Sequence, residues 1–232
     1  MESREVEILE TKERVIADND AVAAQVRRDL AAKGVFLVNL MASPGAGKTS
    51  LLLRTIEALK DRYRIGVMEA DVDSDVDARA VAGTGVRVIQ LHTGGSCHMD
   101  ADMTRRGLAG LAVSDLDLVF LENIGNLVCP AEFDVGAGAE VMILSVPEGD
   151  DKPLKYPLMF SVSDCLLINK MDVRPAFDFD LTSCCVRVTD LNPEISIYPL
   201  SAKTGEGFED WIHWLTERVE DFRSKRGEEE DR

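Results

Sequence analysis

From Val6 to Lys33 apolar residues recur at helical intervals among charges, at Ile8, Val15, Ile16, Ala23, Val26 and Leu30, and Gly34 stops the run. The spacing predicts helix, broken around Asp18–Asp20 into two helices, the second capped by Asn19 or Asp20. After Gly34 the pattern changes. Short apolar runs, most of them continuous, at Val35–Met41, Ile65–Glu69, Val86–Leu91, Leu116–Glu122, Val141–Val146, Cys165–Asn169 and Ile195–Leu200 alternate with helical stretches. Runs of this kind are strands whose two faces are both covered, which is how parallel strands sit between helices. The expected fold is α/β, a doubly wound, mostly parallel sheet preceded by helices that either cover one sheet edge or bind a co-chaperone. No repeat or linker divides the chain. The expected organisation is a helical extension over 1–34, one domain over 35–223 and an acidic tail over 224–232.

Composition narrows the classes. The chain has 232 residues, of which 45% are hydrophobic, enough for one packed α/β domain. Lys and Arg number 26 against 42 Asp and Glu, a formal charge of −16, which repels phosphate backbones and anionic headgroups. Nucleic acid and membrane are therefore not expected as partners. A high-salt cytoplasm would select the same acidity. No apolar run reaches the roughly 18 residues of a spanning helix, and Met1–Glu10 lacks a secretory core. The 5 cysteines are odd in number and not spaced as a disulfide framework, so a reducing cytoplasm is the expected location.

Between the first strand and a helix over Ser50–Leu59 lies Ala42-Ser43-Pro44-Gly45-Ala46-Gly47-Lys48-Thr49. This is a phosphate-binding loop in its expected context, with Ala42 where the first glycine is usual. Backbone N–H groups from Ser43, Pro44, Gly45, Ala46, Gly47, Lys48, Thr49 and Ser50 form the cradle, except that Pro44 has none and serves to shape it. Lys48 reaches the β- and γ-phosphates, and the Thr49 hydroxyl is a Mg²⁺ ligand.

Two later loops point to guanine. Cys165–Ile168 runs into Asn169-Lys170-Met171-Asp172, where the Asp172 carboxylate can accept both N1–H and N2–H of guanine; adenine lacks that donor pair. Lys170 would lie along the base and Asn169 would brace the loops. Ser201-Ala202-Lys203 follows the last strand and offers N–H groups to guanine O6. An acid at a strand tip, Glu122, and Asp71 are further candidate Mg²⁺ ligands. Asp77 is the candidate for orienting water, and the Gly125 N–H for touching the γ-phosphate. The aspartates of 71–77 also suit a solvated helix start.

Thr93-Gly94-Gly95-Ser96-Cys97-His98 and Leu127-Val128-Cys129-Pro130 both follow strands. Cys97, His98 and Cys129 form a candidate site for Zn²⁺ or Ni²⁺. Three ligands leave a tetrahedron open, so two chains sharing a metal at a two-fold interface is an expectation. Cys129 lies four residues after Gly125, which would link nucleotide state to metal affinity through one short segment. Cys165, Cys184 and Cys185 read as packing residues, as does His213 between Trp211 and Trp214; His92 is either a further ligand or a surface residue.

The stretches Asn39–Leu52, Thr93–Asp100, Glu122–Phe133, Glu148–Asp151 and Asn169–Asp172 together resemble the HypB family of hydrogenase nickel-incorporation GTPases, over residues 20–222. The resemblance implies a SIMIBI-class P-loop GTPase that forms a homodimer on binding GTP. It also implies delivery of nickel to the [NiFe]-hydrogenase large subunit with a nickel-delivery co-chaperone, and a metal held by Cys97, His98 and Cys129. Some members carry an N-terminal cysteine motif or a histidine-rich tract; neither is present here, so no high-affinity storage site is expected. Asn126 stands where signalling GTPases have a glutamine, which predicts slow intrinsic turnover. The alternatives are a urease-accessory-type GTPase, whose Cys-Pro-His motif is not matched by the adjacent Cys97 and His98, and a structural zinc-linked dimer with a passive nucleotide site. A metabolite kinase lacks an acceptor site in the sequence.

Overall fold

Along each central strand, successive side chains enter different apolar clusters. Val38, Leu118, Phe120, Val141 and Leu167 pack on one face of the sheet, and Leu37, Val119, Leu121, Met142 and Leu166 on the other. The computed structural model describes residues 11–71 and 76–230, with side chains from Val15 to Lys225. Ile8 of the expected first helix, Asp73 and Asp75 of the acidic cluster and the end of the acidic tail lie outside the described residues.

Among the described residues, seven strands form one sheet. They are β1 (Phe36–Ala42), β2 (Ile65–Asp71), β3 (Arg87–His92), β4 (Leu118–Glu122), β5 (Ala139–Ser145), β6 (Cys165–Asn169) and β7 (Ser196–Pro199). The order is β3-β2-β4-β1-β5-β6-β7, with every neighbouring pair parallel. The helices are α1 (Thr11–Lys33), α2 (Lys48–Leu59), α3 (Val76–Ala82), α4 (Ala101–Leu111), α5 (Cys129–Glu132), α6 (Lys152–Lys155), α7 (Pro157–Ser161), α8 (Leu181–Leu191) and α9 (Phe208–Glu230). Helices α2 and α9 cover one face, where the buried Trp211 Nε1 donates to Thr55 Oγ1 at 3.0 Å. Helices α1 and α4 cover part of the other face, and α7 and α8 the rest. No helix among the described residues is long and apolar enough to cross a membrane.

Two expectations about the first helix fail. It is continuous through Asp18–Asp20, and it lies on a face of the sheet beside α4 instead of at an edge. Asn19 explains the first failure. Its side chain does not cap a helix start: Nδ2 donates to the Asp134 carbonyl at 2.8 Å and Oδ1 accepts from the Ala101 N–H at 2.9 Å. Tertiary partners thus consume the polar groups that looked like a helix break. Arg27 adds a two-pronged pair to Asp134, at 2.7 Å on each side, and a bond to the Ala137 carbonyl at 2.9 Å.

Leu116 and Asp117 precede β4 because Asp117 is a turn residue: its carboxylate accepts from the Arg64 N–H and Nε, both at 2.9 Å, and from Nη2 at 2.8 Å. The Arg64 hydrogen bonds hold its pKa down, from 3.8 to about 2. A depressed carboxylate contributes stability that is present above its unfolded pKa and lost as pH falls through the folded one. Asp117→Asn is therefore expected to cost about 1–2 kcal/mol at pH 7, after allowing for solvent around Arg64. Urea melts across pH should show the difference from the parent chain shrinking between pH 4 and pH 2.

Candidate nucleotide and metal site

The centre of the sheet places β1, and the loop that follows it, at the carboxyl ends of the strands, where α/β sheets bind ligands. Gly45 and Gly47 have φ of +79° and +99°. At Gly47 a side chain is excluded on two grounds, the left-handed backbone and an added Cβ only 2.6 Å from Asn169 Nδ2. Helix α2 starts at Lys48 with no side-chain cap, leaving its first N–H groups to a phosphate. Ser43 Oγ bonds Glu148, whose other oxygen accepts from Ser145 N–H and Oγ at 2.7 Å each, anchoring the start of the loop to β5.

Lys48, Thr49, Asp71, Asp77, Glu122 and Gly125 line one cavity of about 630 Å³. A deeper chamber of about 50 Å³ is shared by Lys48, Asp71, Asp77, Glu122 and two residues that sequence reasoning missed, Glu69 and Gln90. Glu69 and Glu122 are 3% and 4% exposed. Thr49 Oγ1 donates to Glu122 Oε1 at 2.9 Å, while Glu122 Oε2 and Glu69 Oε1 are buried without a hydrogen-bond partner. Burial pushes both carboxyls upward, and the Lys48 ammonium opposes this at both. Orphaned hard oxygens beside a hydroxyl and a phosphate cradle fit Mg²⁺, which takes oxygen donors. The signal for Glu69 was present in the sequence: a carboxylate inside an otherwise apolar buried strand.

At the base end, Asn169 ties three loops together. Its Nδ2 donates to the Ala46 carbonyl at 3.0 Å, and its Oδ1 accepts from Lys170 N–H at 2.8 Å and Ala202 N–H at 3.0 Å. Lys170 has φ of +64°, unusual for a residue with a side chain, and its Nζ donates to the Gly45 carbonyl at 2.6 Å. Asp172 Oδ1 accepts from Ser201 Oγ at 2.7 Å. Arg54 of α2 holds the carbonyls of Ala202 and Lys203 at 2.8 and 3.2 Å. Residues from 43 to 50, 169 to 172 and 201 to 203 therefore converge. A groove of about 1020 Å³ between α2 and α9 is larger but has no comparable convergence of polar groups.

The second cluster sits beyond Gly125. The ligand atoms of Cys97, His98 and Cys129 all lie within 4.8 Å of one another. The two Sγ atoms are 3.0 Å apart, and Cys97 Sγ is 3.9 Å from His98 Nδ1. Phe133, another residue unforeseen from sequence, stacks on the His98 ring with centroids 4.0 Å apart. Burial lowers the His98 pKa, favouring the neutral imidazole that a metal needs. The Cys97 contact and burial raise that of Cys129. Thiolates and imidazole suit Ni²⁺ or Zn²⁺. Cys165 and Cys184 are buried and Cys185 is half-buried. His92 is exposed at the end of β3, outside the cluster. His213 does not pack: its side chain is 74% exposed and pairs with Glu217 at 3.2 Å, while Trp211 and Trp214 stack on each other. A helical turn rotates residue 213 away from the face that both tryptophans share.

Residues 36–199 match the family described as CobW/HypB/UreG, nucleotide-binding domain. The hydrogenase maturation factor HypB of Rhizobium leguminosarum bv. viciae is 46% identical over 208 residues, covering 90% of this chain and 70% of that one. The crystal structure of HypB from Helicobacter pylori in complex with nickel is similar with a TM-score of 0.83 at 36% identity, covering 88% of this chain and 96% of that one. HypB from Archaeoglobus fulgidus gives 0.82 at 38% identity, covering 88% and 99%. At the level of fold alone, the likeness extends to the signal recognition particle receptor FtsY of Elizabethkingia anophelis, with a TM-score of 0.51 at 13% identity over 82% of this chain and 70% of that one.

Proposed function

The chain belongs to the HypB family of hydrogenase maturation factors, and from that premise we propose that it is a GTP-hydrolysing metallochaperone that dimerises with GTP and hands nickel to a [NiFe]-hydrogenase large subunit. The observation that carries this reading is the position of the Cys97–His98–Cys129 cluster, one short segment away from Gly125 at the phosphate cavity. Residues 35–223 act as the GTPase domain, with 1–34 as its helical extension and 224–232 as an acidic tail. The setting is the cytoplasm.

In this reading Asp172 accepts from guanine N1–H and N2–H, with its carboxylate held by Ser201. Lys170 lies along the base, and the Ser201-Ala202-Lys203 loop presents N–H groups to O6. Lys48 and the N–H groups of 45–50 bind the β- and γ-phosphates. Thr49, Asp71 and Glu122 would hold Mg²⁺, which would supply positive charge for the phosphate oxygens. Asp77 orients water for in-line attack on the γ-phosphorus. The bond to the β–γ bridging oxygen breaks, giving GDP and phosphate. Gly125 N–H follows the γ-phosphate. Turnover is slow because Asn126 is not available to orient water: its amide is engaged with the Cys97 carbonyl.

Nickel is the cargo. Three ligands per chain leave a coordination position for a partner chain or an acceptor protein, and a nickel-delivery co-chaperone loads the site. The test is titration of the metal-free protein with Ni²⁺ and Zn²⁺, first with GDP and then with a non-hydrolysable GTP analogue, with mass measured on the same samples. The expected result is a change of metal affinity or stoichiometry with nucleotide and a doubled mass with the analogue. Equal binding and constant mass would leave a nucleotide-binding domain with a structural metal site.

A further inference from the structure

The nucleotide cavity and the thiol cluster touch a common strip of chain, 123–129, and its polar side chains are spent on fixed partners. Asn123 is fully buried; its Nδ2 donates to Asn39 Oδ1 at 3.1 Å, and its Oδ1 accepts from Ile124 N–H at 2.9 Å and from Met99 N–H at 3.3 Å. That side chain pins the base of the strip, and the residue after His98, to the central strand β1. Gly125 then crosses the phosphate loop so closely that a Cβ there would stand 3.0 Å from Pro44 Cγ and 3.1 Å from Pro44 N. Gly125 lines the same cavity as Lys48 and Thr49, so a γ-phosphate bound there would lie beside its backbone.

Asn126 is next. Its Nδ2 donates to the Cys97 carbonyl at 3.1 Å, and its Oδ1 accepts from the Val128 N–H at 3.0 Å, next to Cys129. It does not line the nucleotide cavity. One amide thus spans from the loop bearing one thiol to the turn bearing the other, on a backbone attached directly to Gly125. We infer that Asn126 is the positioning residue that transmits movement of Gly125 to the Cys97–Cys129 pair, setting how nucleotide state alters nickel affinity. This rests on the reading that nucleotide and metal binding are linked, and it assigns that linkage to one side chain. Asn123, anchored to β1, is the fixed end of the same strip; Asn126 is its moving end.

The geometry dictates what substitution does. Asn126→Ala removes both bonds: Cys97 and Cys129 still meet at the metal, but the loop bearing Cys97 loses its side-chain tie to the strip that carries Gly125. Asn126→Asp keeps the acceptor for Val128 and loses the donor, setting a carboxylate against the Cys97 carbonyl. The experiment is Ni²⁺ titration of the full chain and both variants, each with GDP and with the non-hydrolysable GTP analogue, followed by the thiolate-to-nickel absorption band and by bound-metal analysis. In the parent chain the two nickel dissociation constants differ by about fivefold or more, the lower end of measured couplings. In both variants the ratio falls below about twofold, while stoichiometry stays at the parent value and the absorption band no longer shifts when nucleotides are exchanged. A parent-like ratio in either variant overturns the assignment, since the Cys97 bond is absent in both. If Asn126→Ala does not fold, Asn126→Asp decides alone. A ratio of one in the parent chain overturns the linkage itself, and the role of Asn126 with it, which separates the two failures.

Discussion

Replacing Lys48 by Ala is expected to lower GTP turnover by about 10³-fold, equivalent to about 4 kcal/mol of transition-state stabilisation. Lys48 begins α2 and lines both the main cavity and the chamber behind it, and in the proposed mechanism its ammonium meets the transferring phosphoryl. Its charge also opposes the upward shift of Glu69 and Glu122, which burial drives. Phosphate release at saturating GTP and Mg²⁺ is the measurement, with nickel binding by the same preparation as the control. The thiol cluster uses no group of Lys48, so metal stoichiometry should persist. Undiminished turnover would remove the phosphate loop from the mechanism altogether.

The second large effect belongs to the base. Asp172→Asn is expected to weaken GTP binding by about 10²–10⁴-fold, since in the proposed reading it removes the carboxyl that accepts two hydrogen bonds from guanine, each worth about 1.5–3 kcal/mol. The same substitution should favour xanthosine triphosphate, in which an oxygen replaces the guanine amine and can accept from the new amide. Competition against a fluorescent GDP, run with GTP, ATP and xanthosine triphosphate, reads both changes. The fold contributes here through Ser201, whose hydroxyl holds one carboxylate oxygen at 2.7 Å, and through Asn169, which locks the two recognition loops to the phosphate loop. A parent chain that binds ATP as well as GTP would refute the guanine assignment before any variant is made.

Much of this was legible because the relevant signals are local. Apolar runs mark the strands, and all seven appear within two residues of the expected bounds at each end, although only the interior strands have both faces covered while β3 and β7 at the sheet edges are half-buried or exposed. The phosphate loop is readable because its chemistry needs glycines, a lysine and a hydroxyl in order along the chain. What stayed hidden depends on partners distant in sequence. Asn19 looks like a helix cap, but its amide is claimed by residues 101 and 134, which no local pattern connects. His213 looked buried between two tryptophans, although adjacency in sequence is not adjacency on a helix. Glu69 and Gln90 became part of the site only once β2 and β3 were laid side by side, pairing Glu69 with Gln90 across the sheet. Phe133 needed the fold to bring it onto His98.

The central place of β1 also sets a schedule for synthesis. Its hydrogen-bonding neighbours are β4 and β5, and Leu118 follows Ala42 by 76 residues, with Ala139 later still. At roughly 5–20 residues per second, a ribosome needs about 4–15 s to supply the first of those neighbours. Throughout that interval the strand that carries the phosphate loop, Phe36–Ala42, has both of its edges without their final partners. The segment around which the finished sheet is built is therefore open to mispairing in the nascent chain, and in the proposed reading nucleotide does not shield it then, because the loops at 169–172 and 201–203 emerge later still.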